Sequence, residues 1–500
     1  MQQSTLIQRP TYPLSSTALA GGWLVMGCAL AGTMLLGGFV WPPVATCGLA
    51  MTLALLCQPQ FATVVVVFLL YINALPVANM FYGVPKLAAA ALPALLFIPL
   101  FHELIISRRP VVLSSILLPT LAFLGIQAIG VVVAAQPDVA LKALATSIAE
   151  GLLLFVVLTN VIRTRIALRL ATWAAVAAGT LMGGLGILQY ATGTFDNHYG
   201  GFAQVEEFDA TADANVEQAP RLAGPLGQKN RYAHFMLMLL PLGLCLAWTE
   251  RIHWLRYTAY AASSSIALGT ALTLSRGAAV GFVALILGMT LLGRVAVRYL
   301  VALFVIGLVI LVSVPQYAQR LESVIDILGM VDGSKDMRQL DIATVGRLTE
   351  MWAGAQVFCE HPIVGVGGDM FPYHFLNHAG DLGVQVHTEP RKAHNLYLGI
   401  AAEHGLLGLL SFAAIIVSVF RLLARTRKLP LDQAPEIPQF ATAFMLAIGV
   451  YMVVGMFVDF SYVRYFWLIV ALACATHHIG ITFSHSRDQE QRQLQIRHEC

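Results

Sequence analysis

The stretch Glu389-Pro-Arg-Lys-Ala-His-Asn-Leu-Tyr-Leu-Gly399 passes from charged residues into an apolar segment, with Arg391, Lys392, His394 and Asn395 at the crossing. An imidazole whose ordinary pKa is about 6.5 suits proton abstraction at neutral pH. His394 is therefore a candidate general base, beside the plainer reading of a histidine at the start of a helix. A metal-ligand reading draws on His374 and His378, spaced i, i+4, with His387. Neither an H-E-x-x-H pattern nor a carboxylate-rich set accompanies them, so no metal is expected.

Arginines supply the second chemistry. Arg276, in "TLSRGAAVG", lies between two apolar runs with almost no loop to hold it clear of a bilayer. A guanidinium at that depth is costly unless it meets a polar cavity or an anion, and its planar fork suits phosphate oxygens. Snorkelling to lipid headgroups is the competing reading. Arg347, in "VGRLTEMW", is placed by the periodicity at the opening of an amphipathic helix, where the helix dipole disfavours a cation and a nearby anion is implied. A third basic group, "RLAGPLGQKNRYAHF", holds Arg221, Lys229, Asn230 and Arg231. Glu103 and Glu150 fall within apolar runs; the expectation for Glu150 is a pairing with a neighbouring helix.

The elements that must carry these residues follow from composition. The chain is 58% hydrophobic and 11% charged, too little charge to cover a soluble protein of 500 residues. Apolar runs of roughly 17–25 residues, enough for about 30 Å of hydrocarbon, recur from Ala18 to Thr482. The expectation is an all-α polytopic membrane protein with about 12–14 transmembrane helices, 14 being the best count. The spans fall near 18–36, 40–57, 60–79, 86–106, 112–134, 141–162, 168–190, 232–249, 254–273, 277–292, 296–314, 396–420, 440–458 and 463–483. A net charge of +3 without a basic tract excludes a nucleic-acid partner. Lys and Arg concentrate in one set of short loops, including Arg108, Arg163, Arg169, Arg251, Arg294 and Arg425, which assigns that side and both termini to the cytoplasm. Two longer loops then face outward, 193–231 and 315–395, and the C-terminal tail is 484–500. In the larger loop Leu321, Val324, Ile325 and Leu328 predict one amphipathic helix. Leu348, Met351, Trp352, Ala355 and Phe358 predict a second, ending at His361-Pro362. Of seven cysteines only Cys359 falls in an outer loop, so no disulfide framework is available there.

Three segments in order, "TLSRGA", "GRLTEMWAGAQVFCEHPIVGVGGDMF" and "AHNLYLGIAAEHGLLGLL", resemble the O-antigen ligase family, with His394-Asn395 and then Gly405 after nine residues matching that family's spacing. The motifs cover about 220–415. The resemblance implies a fold similar to the C-type glycosyltransferases, with a large helical periplasmic loop. It implies a metal-independent transfer of polysaccharide en bloc from undecaprenyl diphosphate to a sugar hydroxyl of lipid A-core, with no cofactor. On that reading His394, Arg276 and Arg347 are catalytic. Arg221, Lys229, Asn230, Arg231, Arg391, Lys392 and Asn395 bind substrate, and Asn395 or Glu389 orients the imidazole. The segment Gly227-Gln228-Lys229-Asn230 also looks like the Gly-Gln-x-Asn of protein O-glycosylating relatives, with Lys229 where they carry Pro. Polymerase and protein O-oligosaccharyltransferase activity therefore remain alternatives. A lipid or polysaccharide transporter is a further one, although the charges gather in outer loops and no inverted repeat is visible.

Overall fold

The computed structural model describes residues 59–85, 93–206, 220–296, 298, 342–378, 391–430, 434–460 and 463–499, and all that follows concerns these. Helices α1 (Pro59–Tyr71) and α2 (Ala74–Tyr82) are bent by 59°, so the single span expected near 60–79 is broken. Asn73 makes the bend, with φ 61°. Its amide donates to Pro225 O at 2.8 Å and its carbonyl accepts from the Arg464 guanidinium. Next come α3 (Phe97–Phe101), continued by a π turn at His102–Ile106, and α4 (Leu117–Val133). Then α5 (Pro137–Thr146), a π turn (Ser147–Leu153) and α6 (Leu154–Val161) form one 25-residue run. Each π turn carries one of the apolar-run acids. Glu103 pairs with Arg109 at 3.0 Å, and Glu150 pairs with Arg464 at 3.0 Å, the neighbouring-helix contact expected for it.

The chain continues through α7 (Arg165–Thr192), α8 (Lys229–Thr249), α9 (His253–Ala271) and α10 (Arg276–Leu291). After these follow α11 (Ile342–Glu360), α12 (Phe371–His378), α13 (Leu396–Arg427), α14 (Glu436–Val454) and α15 (Val463–Glu499). A two-stranded antiparallel hairpin, β1 (Gln204–Val205) with β2 (Leu222–Gly224), is the exception to an otherwise helical architecture among the described residues. Six helices are long and apolar enough to cross a membrane, or seven with the bent pair counted as one span. The chain is thus a helical multi-pass membrane protein. The spans expected at 18–36 and 40–57, nearly all of 296–314, and the helix expected over Leu321–Leu328 lie outside the described residues.

Helix α8 is apolar all round and sits in the middle, wrapped by α7, α9, α10 and α14, as such a helix must be in a bundle. Against α9, α7 packs through small residues: a Cβ on Gly269 would lie 2.7 Å from Gly183 Cα, so only glycine permits this approach. A second, smaller apolar cluster beside the main core joins α11 and α12 to α13, with Ala353, Val357, Phe371, Phe375 and Ala402 at its centre. The two classes of basic residue separate to opposite ends of the bundle. Arg165 pairs with Glu436 at the start of α14 and Arg169 with Glu250 at the end of α8. Arg231, by contrast, pairs with Asp459 beyond the end of α14.

Candidate active site

At the second end the first turn of α13 sets the geometry. Asn395 is its N-cap: Oδ1 accepts from the backbone N–H of Tyr397 at 2.9 Å and of Leu398 at 3.1 Å, while Nδ2 donates to Met456 O at 3.1 Å. Asn395, expected to orient the imidazole, thus has its carboxamide engaged in capping; Glu389 lies outside the described residues. His394, one residue earlier, has φ 43°, a conformation uncommon without glycine and typical of constrained sites. Its Nδ1 lies 3.2 Å from Lys392 O and 3.1 Å from Glu350 Oε2. A carbonyl oxygen only accepts, so the ring proton belongs on Nδ1 and Nε2 keeps its lone pair. Burial, opposed by the Lys392 carbonyl and Asp459, moves the imidazole pKa below its ordinary value, which leaves the ring neutral at pH 7.

Glu350 is the residue that motif reading missed. Its side chain is 2% exposed, and burial raises the carboxyl to about 7 against the pull of Arg391 and Arg347. It reaches the ring because α11 turns a different face inward from the one its apolar periodicity predicts. Val345, Thr349, Glu350, Ala353 and Val357 are buried, whereas Trp352 is 42% exposed. The helix ends at Glu360, as the His361-Pro362 break predicts. It begins at Ile342, so Arg347 stands in the second turn and not at the opening, and the dipole argument for it lapses.

Most of the expected substrate-binding cations converge here, each with a carboxylate beside it. Arg231 bonds Asp459 through both nitrogens of its fork at 3.0–3.1 Å. Lys229 lies 2.7 Å from Glu206, Lys392 3.2 Å from Asp369 and 3.8 Å from Asp459, and Arg391 3.9 Å from Glu350. The Arg221 and Arg347 charges are both felt at Lys229, and those of Arg347 and Arg231 at His394, which gathers residues from four separate segments. Lys392 holds its proton more firmly than usual: burial opposes this, but Asp369, Asp459 and Glu403 outweigh it. Asn230 accepts from Ser275 Oγ at 2.9 Å, tying the start of α8 to the N-cap of α10 and so to Arg276, which is half-buried at the first position of that helix. Asp369 and Asp459 are marked by nothing in the sequence as partners of these cations, and Glu206 falls in an acidic stretch, Asp196 to Glu217, that reads as a solvated face.

Gly405 has a structural task that explains its spacing from His394. Helix α13 breaks there, with φ 65° and ψ −165°, a conformation open essentially to glycine. The segment after α11 runs into the break: Leu406 N–H bonds Pro362 O at 2.8 Å, Val366 N–H bonds Ala402 O at 3.1 Å and Gly367 N–H bonds Glu403 O at 2.9 Å. Backbone groups freed at membrane depth are thereby satisfied within the protein. The Glu403 carboxylate accepts from the backbone of Asp369 and Phe371 at the start of α12. The break thus locks α11, α12 and the His394 turn into one unit. His374 and His378 face the end of α11, where His378 lies 3.3 Å from Glu360 and the His361 and His374 rings are 6.0 Å apart. Among the described residues no three His, Cys, Asp or Glu side chains gather as a metal site.

A membrane helix bundle whose one mouth assembles a neutral, lone-pair-bearing histidine and paired cations defines a multi-pass membrane protein with a polar, anion-suited site. Residues 259–413 match the family described as O-antigen ligase. That family is one of glycosyltransferase-like enzymes of the ligase and polymerase type. The matched stretch holds Arg276, Arg347, Glu350, His394 and Gly405, while Arg221, Lys229, Arg231 and Asp459 lie outside it. No curated protein matches the chain.

Proposed function

We propose that this protein is an O-antigen ligase, an inverting and metal-independent transferase that moves polysaccharide en bloc from undecaprenyl diphosphate to a sugar hydroxyl of lipid A-core. The reaction is placed at the periplasmic face of the inner membrane. The observation that carries the reading is His394: its Nδ1 faces two acceptors, which leaves the lone pair on Nε2, and the charges of Arg347 and Arg231 reach it. A sugar hydroxyl is a weak nucleophile, and Nε2 takes its proton as the oxygen attacks the anomeric carbon. The glycosidic C–O bond breaks with its electron pair on the diphosphate, whose growing charge Arg276 and Arg347 stabilise as fixed donors. Attack from the face opposite the leaving group inverts the anomeric centre. Lys229, Arg231, Arg391 and Lys392 hold phosphates of donor or acceptor. Because each has a carboxylate beside it, an incoming diphosphate shares or displaces Glu206, Asp459, Glu350 or Asp369.

Deleting the gene and separating lipopolysaccharide and glycoproteins on gels tests the assignment. Loss of all long-chain polysaccharide from lipid A-core, with the undecaprenyl-linked chain accumulating, is the ligase result. A core carrying a single repeat unit identifies a polymerase, loss of protein glycosylation alone identifies a protein O-oligosaccharyltransferase, and failure to move substrate without a transfer defect identifies a transporter.

A further inference from the structure

We propose that Glu350 is a positioning residue for the transfer: its carboxylate holds the His394 ring with the proton on Nδ1 and Nε2 bare, and opposes the charge the ring gains on taking the acceptor's proton. This rests on the reading of His394 as the base. Glu350 is delivered by the buried stripe of α11, between Thr349 and Ala353, so helix packing and not solvent sets its place. Its Oε2 is buried without a well-formed hydrogen bond, which calls for a reason, and His394 Nδ1 stands 3.1 Å away. Arg391, the alternative partner of the carboxylate, approaches its other oxygen, Oε1, only to 3.9 Å. In the transfer the hydroxyl O–H bond breaks, the proton passes to Nε2, and the ring becomes an imidazolium whose Nδ1–H points at the Glu350 side. With the Lys392 carbonyl taking the Nδ1 proton at 3.2 Å, a carboxyl 3.1 Å from the same nitrogen helps to hold the ring angle, the task second groups perform for catalytic histidines generally.

The groups around the pair set the sign of its pH response. His394 faces Glu350 and Arg347 from α11, Lys392 and Arg391 from its own approach segment, Asp459 from beyond α14, and Arg231 from α8. Arg347 and Arg231 disfavour the imidazolium, whereas the Lys392 carbonyl and Asp459 favour it. Because burial raises the Glu350 carboxyl to about 7, above the lowered imidazole, Glu350 is largely uncharged through the acid limb of kcat/KM, and Glu350→Gln leaves that limb in place.

The test compares the full-length protein with Glu350→Gln, Glu350→Asp, His394→Ala and the Gln/Ala double variant, reading kcat, donor KM and the pH profile with purified lipid-linked donor and lipid A-core. Glu350→Gln is expected to lower kcat about 10- to 100-fold with little change in donor KM and with the acid limb kept. Glu350→Asp retains the limb and part of the rate, and the double variant is no slower than His394→Ala. Wild-type turnover by Glu350→Gln, a loss confined to KM, or an undiminished further loss in the His394→Ala background overturns the assignment. Should Glu350→Gln not accumulate in membranes, Glu350→Asp decides: a kcat loss with the limb kept supports the role, and a loss in KM alone overturns it. Full turnover by His394→Ala alone overturns the base reading itself, and the positioning role with it.

Discussion

At the scale of single residues, the sequence exposes cations more readily than the carboxylates that hold them. Arg276, Arg231, His394 and Lys392 are conspicuous because charge is expensive beside apolar segments. Glu350, Asp369 and Asp459 are ordinary acids by sequence, and only the fold shows that α11 turns Glu350 inward and that Asp459 sits opposite the Arg231 fork. Asn395 illustrates the opposite case: its neighbour makes it look reactive, yet its carboxamide caps a helix. The arginine proposal makes a sharp prediction. Arg276→Ala and Arg347→Ala should each cost on the order of 2–4 kcal/mol of transition-state stabilisation, about 30- to 1000-fold in transfer rate at equal expression. Lysine should rescue poorly, since it keeps charge but not the planar fork. Near-normal transfer by both alanine variants contradicts the diphosphate role.

At the scale of elements, helix existence and type were legible and helix faces were not. Hydropathy runs located α7, α8, α13, α14 and α15, because crossing a membrane demands length and apolarity together. Periodicity misdirected α11: of its apolar stripe Trp352 is exposed and Leu348, Met351, Ala355 and Phe358 are half-buried, while Thr349 and Glu350 are buried. In a membrane protein the rule that apolar residues face the core loses force, since lipid accepts them equally well. The bend at Asn73 and the break at Gly405 also escaped hydropathy, because neither interrupts an apolar run, although the His-Asn to Gly spacing marked the second. Gly405→Ala tests that break. The new Cβ would stand 2.3 Å from the Ile363 backbone at a φ closed to alanine, so the variant should lose both transfer and thermal stability in detergent. Gly399→Ala, in the same helix as Gly405 and with a Cβ that meets only Ala393 Cβ at 4.0 Å, should be as stable as the wild type or more so. Equal melting of the two variants removes the structural role assigned to Gly405.

At the scale of the whole molecule, the Lys and Arg asymmetry of the sequence reappears as two ends of one bundle, joined through α8 and α14. Which end faces the periplasm is set by the positive-inside rule and is open to direct measurement. Cys359 is exposed at the end of α11. In an otherwise Cys-free protein it should react with a membrane-impermeant maleimide in intact spheroplasts; labelling only after lysis reverses the orientation. The central claim is that this bundle is a transferase in which cations bind a lipid-linked diphosphate and His394 removes the acceptor's proton. Burial keeps the imidazole below its ordinary pKa, so activity should hold at neutral pH and fall as the pH drops through that lowered value, a limb absent from whatever activity His394→Ala retains. The most direct measurement is transfer from purified undecaprenyl-diphosphate donor to lipid A-core by wild type and His394→Ala, with donor binding measured in parallel and with EDTA present or absent. The account predicts a loss of roughly 100- to 10,000-fold in turnover, unchanged donor affinity and no effect of chelation. Unimpaired turnover by His394→Ala, or inhibition by EDTA together with equal damage from His374→Ala or His378→Ala, contradicts it.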